Sequence, residues 1–161
     1  MNISREYINK TRKYLIKLDG DMQSIEFIKK EIEYLKERDF YQEINIEKAI
    51  FKSNSNYGID DKLVYIKDQI DIKEGEIAHI LRKFEEINLF LNQLTNIERD
   101  IILYKYFNRK EDNSKYRNKD IEDLLKYSIS SIKRIEKKVI EKLAIFKYGK
   151  EIIICDDKEI S

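Results

Sequence analysis

The chain has no proline and no tryptophan, one cysteine, one histidine and four glycines in 161 residues. Each shortage excludes something. A single cysteine makes no internal disulfide, so a disulfide-stapled secreted scaffold is out. Cys155 and His79 alone cannot build a Cys/His zinc site, nor a Ser-His-Asp arrangement with a spare general base. No apolar run approaches the roughly 18 residues of a membrane span. The opening MNISREYINKTRKYL has no signal-peptide core, so a cytoplasmic protein with no membrane partner is expected. Without proline, and with few glycines, little interrupts helices.

Charge is what the chain has in abundance. Charged residues make up 39%, against roughly 25% in an average soluble domain, yet the net charge is only +1. The balance is local rather than uniform. Residues 1–93 hold 16 basic and 18 acidic side chains, a net of −2. Residues 94–150 hold 15 and 9, a net of +6, and residues 151–161 hold 1 and 4, a net of −3. The excess is concentrated in 126–150, where 8 Lys/Arg stand against Glu136 and Glu141. A basic block attracts polyanions and an acidic tail can screen it, although a solvated Lys-rich helix has the same composition.

Periodicity predicts helices almost throughout. Tyr7, Tyr14 and Leu18 share one side of a helix over 4–18, which Asp19-Gly20 is expected to interrupt. Ile25, Ile28, Ile32 and Leu35 make a narrow apolar seam on a helix over 21–38. Ser53–Asp61, rich in Asn, Ser, Gly and Asp, predicts a loop. The strongest signal spans 62–94. Leu63, Ile70, Ile77, Phe84 and Leu91 recur every seven residues, and Ile66, Lys73, Ile80, Ile87 and Leu94 form the partner row. So narrow a stripe needs a second helix, which suits both an antiparallel hairpin within the chain and a homodimer through the 62–94 seam. Lys73 and Gly75 mark the place where a kink is expected.

Further along, Thr95 or Asn96 caps a helix to about Phe107, with Glu98 placed for a capping box. Its packing face should bury Ile97, Ile101 and Tyr104. A polar stretch, Asn108–Asn118, follows. Asn118 then caps a short helix, 119–126, and Ser128 caps a longer one, 129–146. Glu151–Cys155 is a β-like run before the acidic end.

Two helices joined by a tight turn, the second basic, predict a helix-turn-helix. At 100° per residue, Ile135, Val139, Leu143 and Phe146 fall within about 60° of Ile132 and form the expected packing face. Ser130, Arg134, Lys137 and Glu141 lie opposite, with Lys133 and Lys138 on the flanks. Ser130, Lys133 and Arg134 occupy the first two turns, where base edges are read. Lys137, Lys138 and Lys142 lie further along, better placed for phosphates. The expected DNA-contacting set is Arg117, Lys119, Ser128, Ile129, Ser130, Ser131, Lys133, Arg134, Lys137 and Lys138.

Leu94–Phe107 (LTNIERDIILYKYF) and Ile121–Leu143 (IEDLLKYSISSIKRIEKKVIEKL) resemble region four of bacterial sigma factors, which binds the upstream promoter element. The likeness implies that Ile129, Ser130, Ser131, Lys133 and Arg134 fall on the DNA-reading stretch and Lys138 on a backbone contact. The family has Gly in the turn where this chain has Lys126, so Lys126 is expected at positive φ, at a cost of about 1–2 kcal/mol. Ile129 and Ser130 replace the family's charged base readers, so a consensus promoter is not implied. Over its whole length the chain resembles small phage transcriptional regulators of the ArpU/RinA type, through the hairpin seam, Tyr57–Leu63 (YGIDDKL) and the ERDIILYKYF start of the second module. That resemblance implies a phage or prophage late-gene activator acting on double-stranded DNA in the nucleoid of a bacterial host, with host RNA polymerase as a further partner.

The expectation is therefore an all-α protein: a helical hairpin over 1–93, a helix-turn-helix domain over 94–150 and an acidic tail over 151–161. A small-terminase-like packaging component and a coiled-coil interaction protein are the competing functions. No enzyme, metal or cofactor is expected. There is no Gly-rich phosphate loop after a strand, His79 has no second ligand type near it, and the carboxylates stand at surface-pair spacing.

Overall fold

A computed structural model describes residues 2–50 and 59–154, and these are all-α. Five α-helices follow one another: α1 (Arg5–Ile50), α2 (Ile59–Leu91), α3 (Asn96–Ile102), α4 (Asn118–Leu125) and α5 (Ile129–Tyr148). A π-helical turn, Leu103–Phe107, continues α3, and a 3-10 turn, Lys150–Ile152, follows α5. Most of the expected loop at Ser53–Asp61 lies outside the described residues, as do Cys155 and the acidic end beyond it; Ile59–Asp61 already belong to α2. No helix among the described residues is long and apolar enough to cross a membrane.

Two expected interruptions are absent. The helix does not stop at Asp19-Gly20 but runs through both. Asp19 is not a solvated helix-ender: it is 3% exposed and accepts a charge-assisted hydrogen bond from Arg109. Gly20 costs about 1 kcal/mol relative to Ala in a helix, which is less than the roughly 1.5–3 kcal/mol from burying any one of the flanking Leu15, Leu18, Ile25 or Ile28. Nor does α2 break at Gly75. The polar member of its seam, Lys73, is paired with Glu31 at 2.6 Å, so the row loses no helix support there.

The chain forms two compact units, Gly20–Lys83 and Met1–Asp19 with Phe84–Ser161. In the first, Ile25, Ile28 and Ile32 of α1 bury Ile66, Ile70 and Ile80 of α2. Over Ile66, Ile70 and Ile80 the seam packs against α1 of the same chain. The second unit draws on both ends of the sequence. Ile3, Ile8, Leu15 and Leu18 pack with Ile87, Phe90 and Leu91 and with Val139, Ile140, Leu143 and Ala144 of α5. The β-like reading of Glu151–Cys155 gives way to the 3-10 turn and a single antiparallel bridge, Ile3 to Ile153. Ile152 is buried in this core, so the segment that starts at Glu151 is not all tail.

A smaller core of Ile101, Ile121 and Ile132, each fully buried, ties α3, α4 and α5 together. Thr95 caps α3: its hydroxyl accepts from the Glu98 N–H, while the Glu98 carboxylate accepts from the Thr95 N–H at 3.1 Å. That is the predicted capping box. The helix it starts takes π geometry from Leu103 and ends at Phe107, the expected end. Arg117 rather than Asn118 is the N-cap of α4, and α5 ends at Tyr148 rather than Phe146.

Candidate nucleic-acid interface

Helices α4 and α5 are joined by three residues, Lys126–Ser128. Lys126 closes α4 in the left-handed region, φ 59° and ψ 32°, with its N–H donating to the Glu122 carbonyl. This is the positive φ expected at Lys126. Ser128 then caps α5: its Oγ accepts from the Ser131 N–H at 3.2 Å and donates to Ser131 Oγ at 2.9 Å. Its hydroxyl is thereby committed to the helix start. Ser130 Oγ lies 3.1 Å from Ser128 Oγ, so three hydroxyls cluster at the first turn.

The packing face of α5 is rotated from the expected one. Ile132, Val139 and Leu143 are buried as predicted, but Phe146 is 45% exposed and Ile135 only partly buried. Glu136, Ile140 and Ala144 are buried instead. At 100° per residue the buried arc is centred about 60° from the predicted centre, toward the side where α1 packs. The signal was present: Glu136 stands four after Ile132 and three before Val139, inside the apolar stripe.

Glu136 is 3% exposed and has three donors. Tyr106 donates at 2.7 Å, Lys105 at 2.9 Å and Arg12 Nε at 3.4 Å. Burial pushes its carboxyl up, but the hydrogen bonds of Lys105 and Tyr106 and the charges of Lys105 and Arg12 outweigh it and hold the group below its ordinary value. Burial, reinforced by Glu136, pushes the Tyr106 phenol well above its usual range.

The segment 108–117, read as a polar stretch, is a folded loop. Arg109 and Lys115 form an antiparallel bridge around a turn, with Asn113 at φ 65°. Arg109 pairs with Asp19, Lys115 Nζ lies 3.8 Å from the same carboxylate, and Lys110 pairs with Asp120 at 2.8 Å. The Lys110 bond and the Arg117 N–H hold Asp120 below its ordinary pKa. On the far side of α5, Lys142 pairs with Glu98 at 2.7 Å, which lowers Glu98 in turn.

Against this background the outer face of α5 stands apart. Lys133, Arg134, Lys137 and Lys138 are exposed, and none has a carboxylate within ion-pair distance among the described residues. Arg117 and Lys119 at the start of α4 are exposed too, and Ile129 and Ser131 are half-buried. The structure thus brings Ser130, Lys133, Arg134, Lys137 and Lys138 onto one helix face, with Arg117 and Lys119 on a neighbouring element. Sequence reasoning missed three cations near this face: Arg12, Lys105 and Lys115 line an open cavity of about 600 Å³ with Lys133 and Lys137. No local pattern announces them, because they come from α1, the π-helical turn and the loop.

Comparison with protein-family models, curated proteins and solved structures finds no match to this chain.

Proposed function

We propose that the protein is a sequence-specific DNA-binding transcriptional regulator that places α5 in the major groove. One observation carries the proposal: among the described residues, four exposed cations in two turns of α5 have no carboxylate within ion-pair distance, while Arg12, Lys105, Arg109, Lys110, Lys115 and Lys142 around them are paired. Lys133 with Lys137, and Arg134 with Lys138, are like charges at i,i+4, each costing the helix about 0.2–0.5 kcal/mol. Such a cost is offset when phosphates supply the missing charge. The three-residue turn and the Ile101–Ile121–Ile132 core support the same reading, since they hold α5 rigidly with that face outward. So does the resemblance of 94–143 to sigma region four, which adds RNA polymerase as a proposed partner. Enzymatic use of the cavity beside α5 is disfavoured, because its carboxylate, Glu136, is occupied by three donors.

The test is DNA affinity measured across salt concentrations on selected and random duplexes. Arg134→Ala is expected to weaken the selected site more than random DNA. Lys138→Ala is expected to weaken both and to lower the salt slope by about one. Absence of binding at about 50 mM salt overturns the proposal.

A further inference from the structure

The cationic face of α5 does not end at the helix. Lys133 and Lys137 line the 600 Å³ cavity together with Arg12 of α1 and Lys115 of the loop. A smaller depression of about 350 Å³ shares Arg12 and Lys137 and adds Arg5 and Asn9. Together the two hollows are lined by Arg5, Arg12, Lys105, Lys115, Lys133 and Lys137. Among the described residues Glu136 is the one carboxylate that lines either of them, held by Lys105, Arg12 and Tyr106, and Lys115 has Asp19 at 3.8 Å, which leaves Arg5, Lys133 and Lys137 without a partner carboxylate. A concave surface with this imbalance focuses positive potential and concentrates polyanions.

The angular position of the lysines decides what kind of anion fits. At 100° per residue, Lys133 and Lys137 lie about 100° and 140° from Ile132, on the α1 edge of the exposed face; Arg134 and Lys138 lie further round, about 200° and 240°. A helix in a major groove turns its edges toward the two phosphate walls. The Lys133–Lys137 edge therefore meets one wall, and Arg12, Arg5 and Lys115 line the hollows that this edge borders. We propose that the two hollows form a track for the phosphodiester backbone of the duplex that α5 enters. Helix α1, more than a hundred positions earlier in the chain, then belongs to the DNA-binding surface. This rests on the DNA-binding reading and extends it to residues outside 94–150.

The experiment uses the full chain and a random-sequence duplex of about two helical turns, with affinity measured against salt. Arg5→Gln combined with Lys115→Gln touches neither Glu136 nor α5. This double variant is expected to keep the wild-type thermal midpoint and to lower the salt slope by about two, with at least tenfold weaker binding at low salt on every sequence. Arg12→Gln should remove about one more unit of slope, and Arg12→Lys should restore it. If Lys133→Ala weakens binding while the double variant and Arg12→Gln keep the wild-type slope, the track is wrong and the DNA-binding reading stands. If the wild-type chain binds no duplex, both are wrong. Inorganic pyrophosphate, titrated with ³¹P detection, separates the two sources of phosphate. Saturable pyrophosphate binding that leaves duplex affinity unchanged would assign the hollows to a small phosphate ligand and overturn the track.

Discussion

The phenol of Tyr106 donates to Oε1 of Glu136 at 2.7 Å, and with it the turn after α3 is fastened to the buried side of α5. The carboxylate at the centre of this contact is held below its ordinary pKa in the folded chain. Its contribution to stability is therefore present above the unfolded value, which is near 4.5, and is lost as pH falls through the lower folded value. Urea unfolding followed from neutral pH into acid should show stability declining below about pH 4.5. Glu136→Gln should cost about 1–3 kcal/mol at neutral pH and flatten part of that decline, leaving the share due to Glu98 and Asp120. An acid profile as steep as that of the wild type would remove Glu136 as a cause.

Asp19 holds the 108–117 loop onto α1 through Arg109, with Lys115 nearby. Asp19→Ala leaves the half-buried Arg109 guanidinium without its counter-ion and should cost about 3 kcal/mol, since breaking a buried pair strands a charge. The double change Asp19→Ala with Arg109→Ala should cost less than the sum of the two single changes. Strict additivity in chemical denaturation would argue against coupling.

Lys126 occupies the left-handed region without the freedom of glycine. Lys126→Gly should raise stability by about 1 kcal/mol, the relief of side-chain strain exceeding the entropy glycine gives back to the unfolded chain. A lower thermal midpoint would mean that the lysine side chain contributes a contact of its own.

Gly75 lies inside α2 and a Cβ placed there meets nothing within 4 Å. Gly75→Ala should stabilise the chain by about 0.5–1 kcal/mol. Loss of helicity by circular dichroism would contradict a continuous α2.

Two deletions separate the role of Ile152 from that of the acidic end. Removing 151–161 also removes buried Ile152 and the Ile3–Ile153 bridge, and should cost about 2–3 kcal/mol. Removing only 155–161 takes away Asp156, Asp157 and Glu159 with Lys158 and keeps Ile152 and the bridge. If those carboxylates screen the basic face, the shorter deletion raises affinity for random DNA, most visibly at low salt.

The helices were legible because apolar spacing along one element records its own burial: the 62–94 seam and the Thr95–Glu98 box are local patterns. Breaks were harder to place. Asp19-Gly20 has the composition of a helix end, and only the distant Arg109 makes it a helix interior. The face of α5 was read about 60° off because Glu136 counts as surface until Tyr106, Lys105 and Arg12 are seen beside it. For the same reason Lys133 and Lys137 were legible as cations, while the cations that line the cavity with them were not.

Arg12 and Glu136 stand 124 positions apart, and Ile3 bridges Ile153. A chain emerging N-terminus first presents Ile3, Ile8, Leu15 and Leu18 long before α5 exists to cover them. The helices they belong to are local and fast to form, but this unit closes only across most of the sequence, which slows its folding relative to a bundle of neighbouring helices. A nascent or prematurely released chain that stops before α5 leaves that apolar strip without Val139, Ile140, Leu143 and Ala144. Such a fragment lacks Lys133, Arg134, Lys137 and Lys138 as well, so the cationic face and the cover of the N-terminal strip arrive with the same helix.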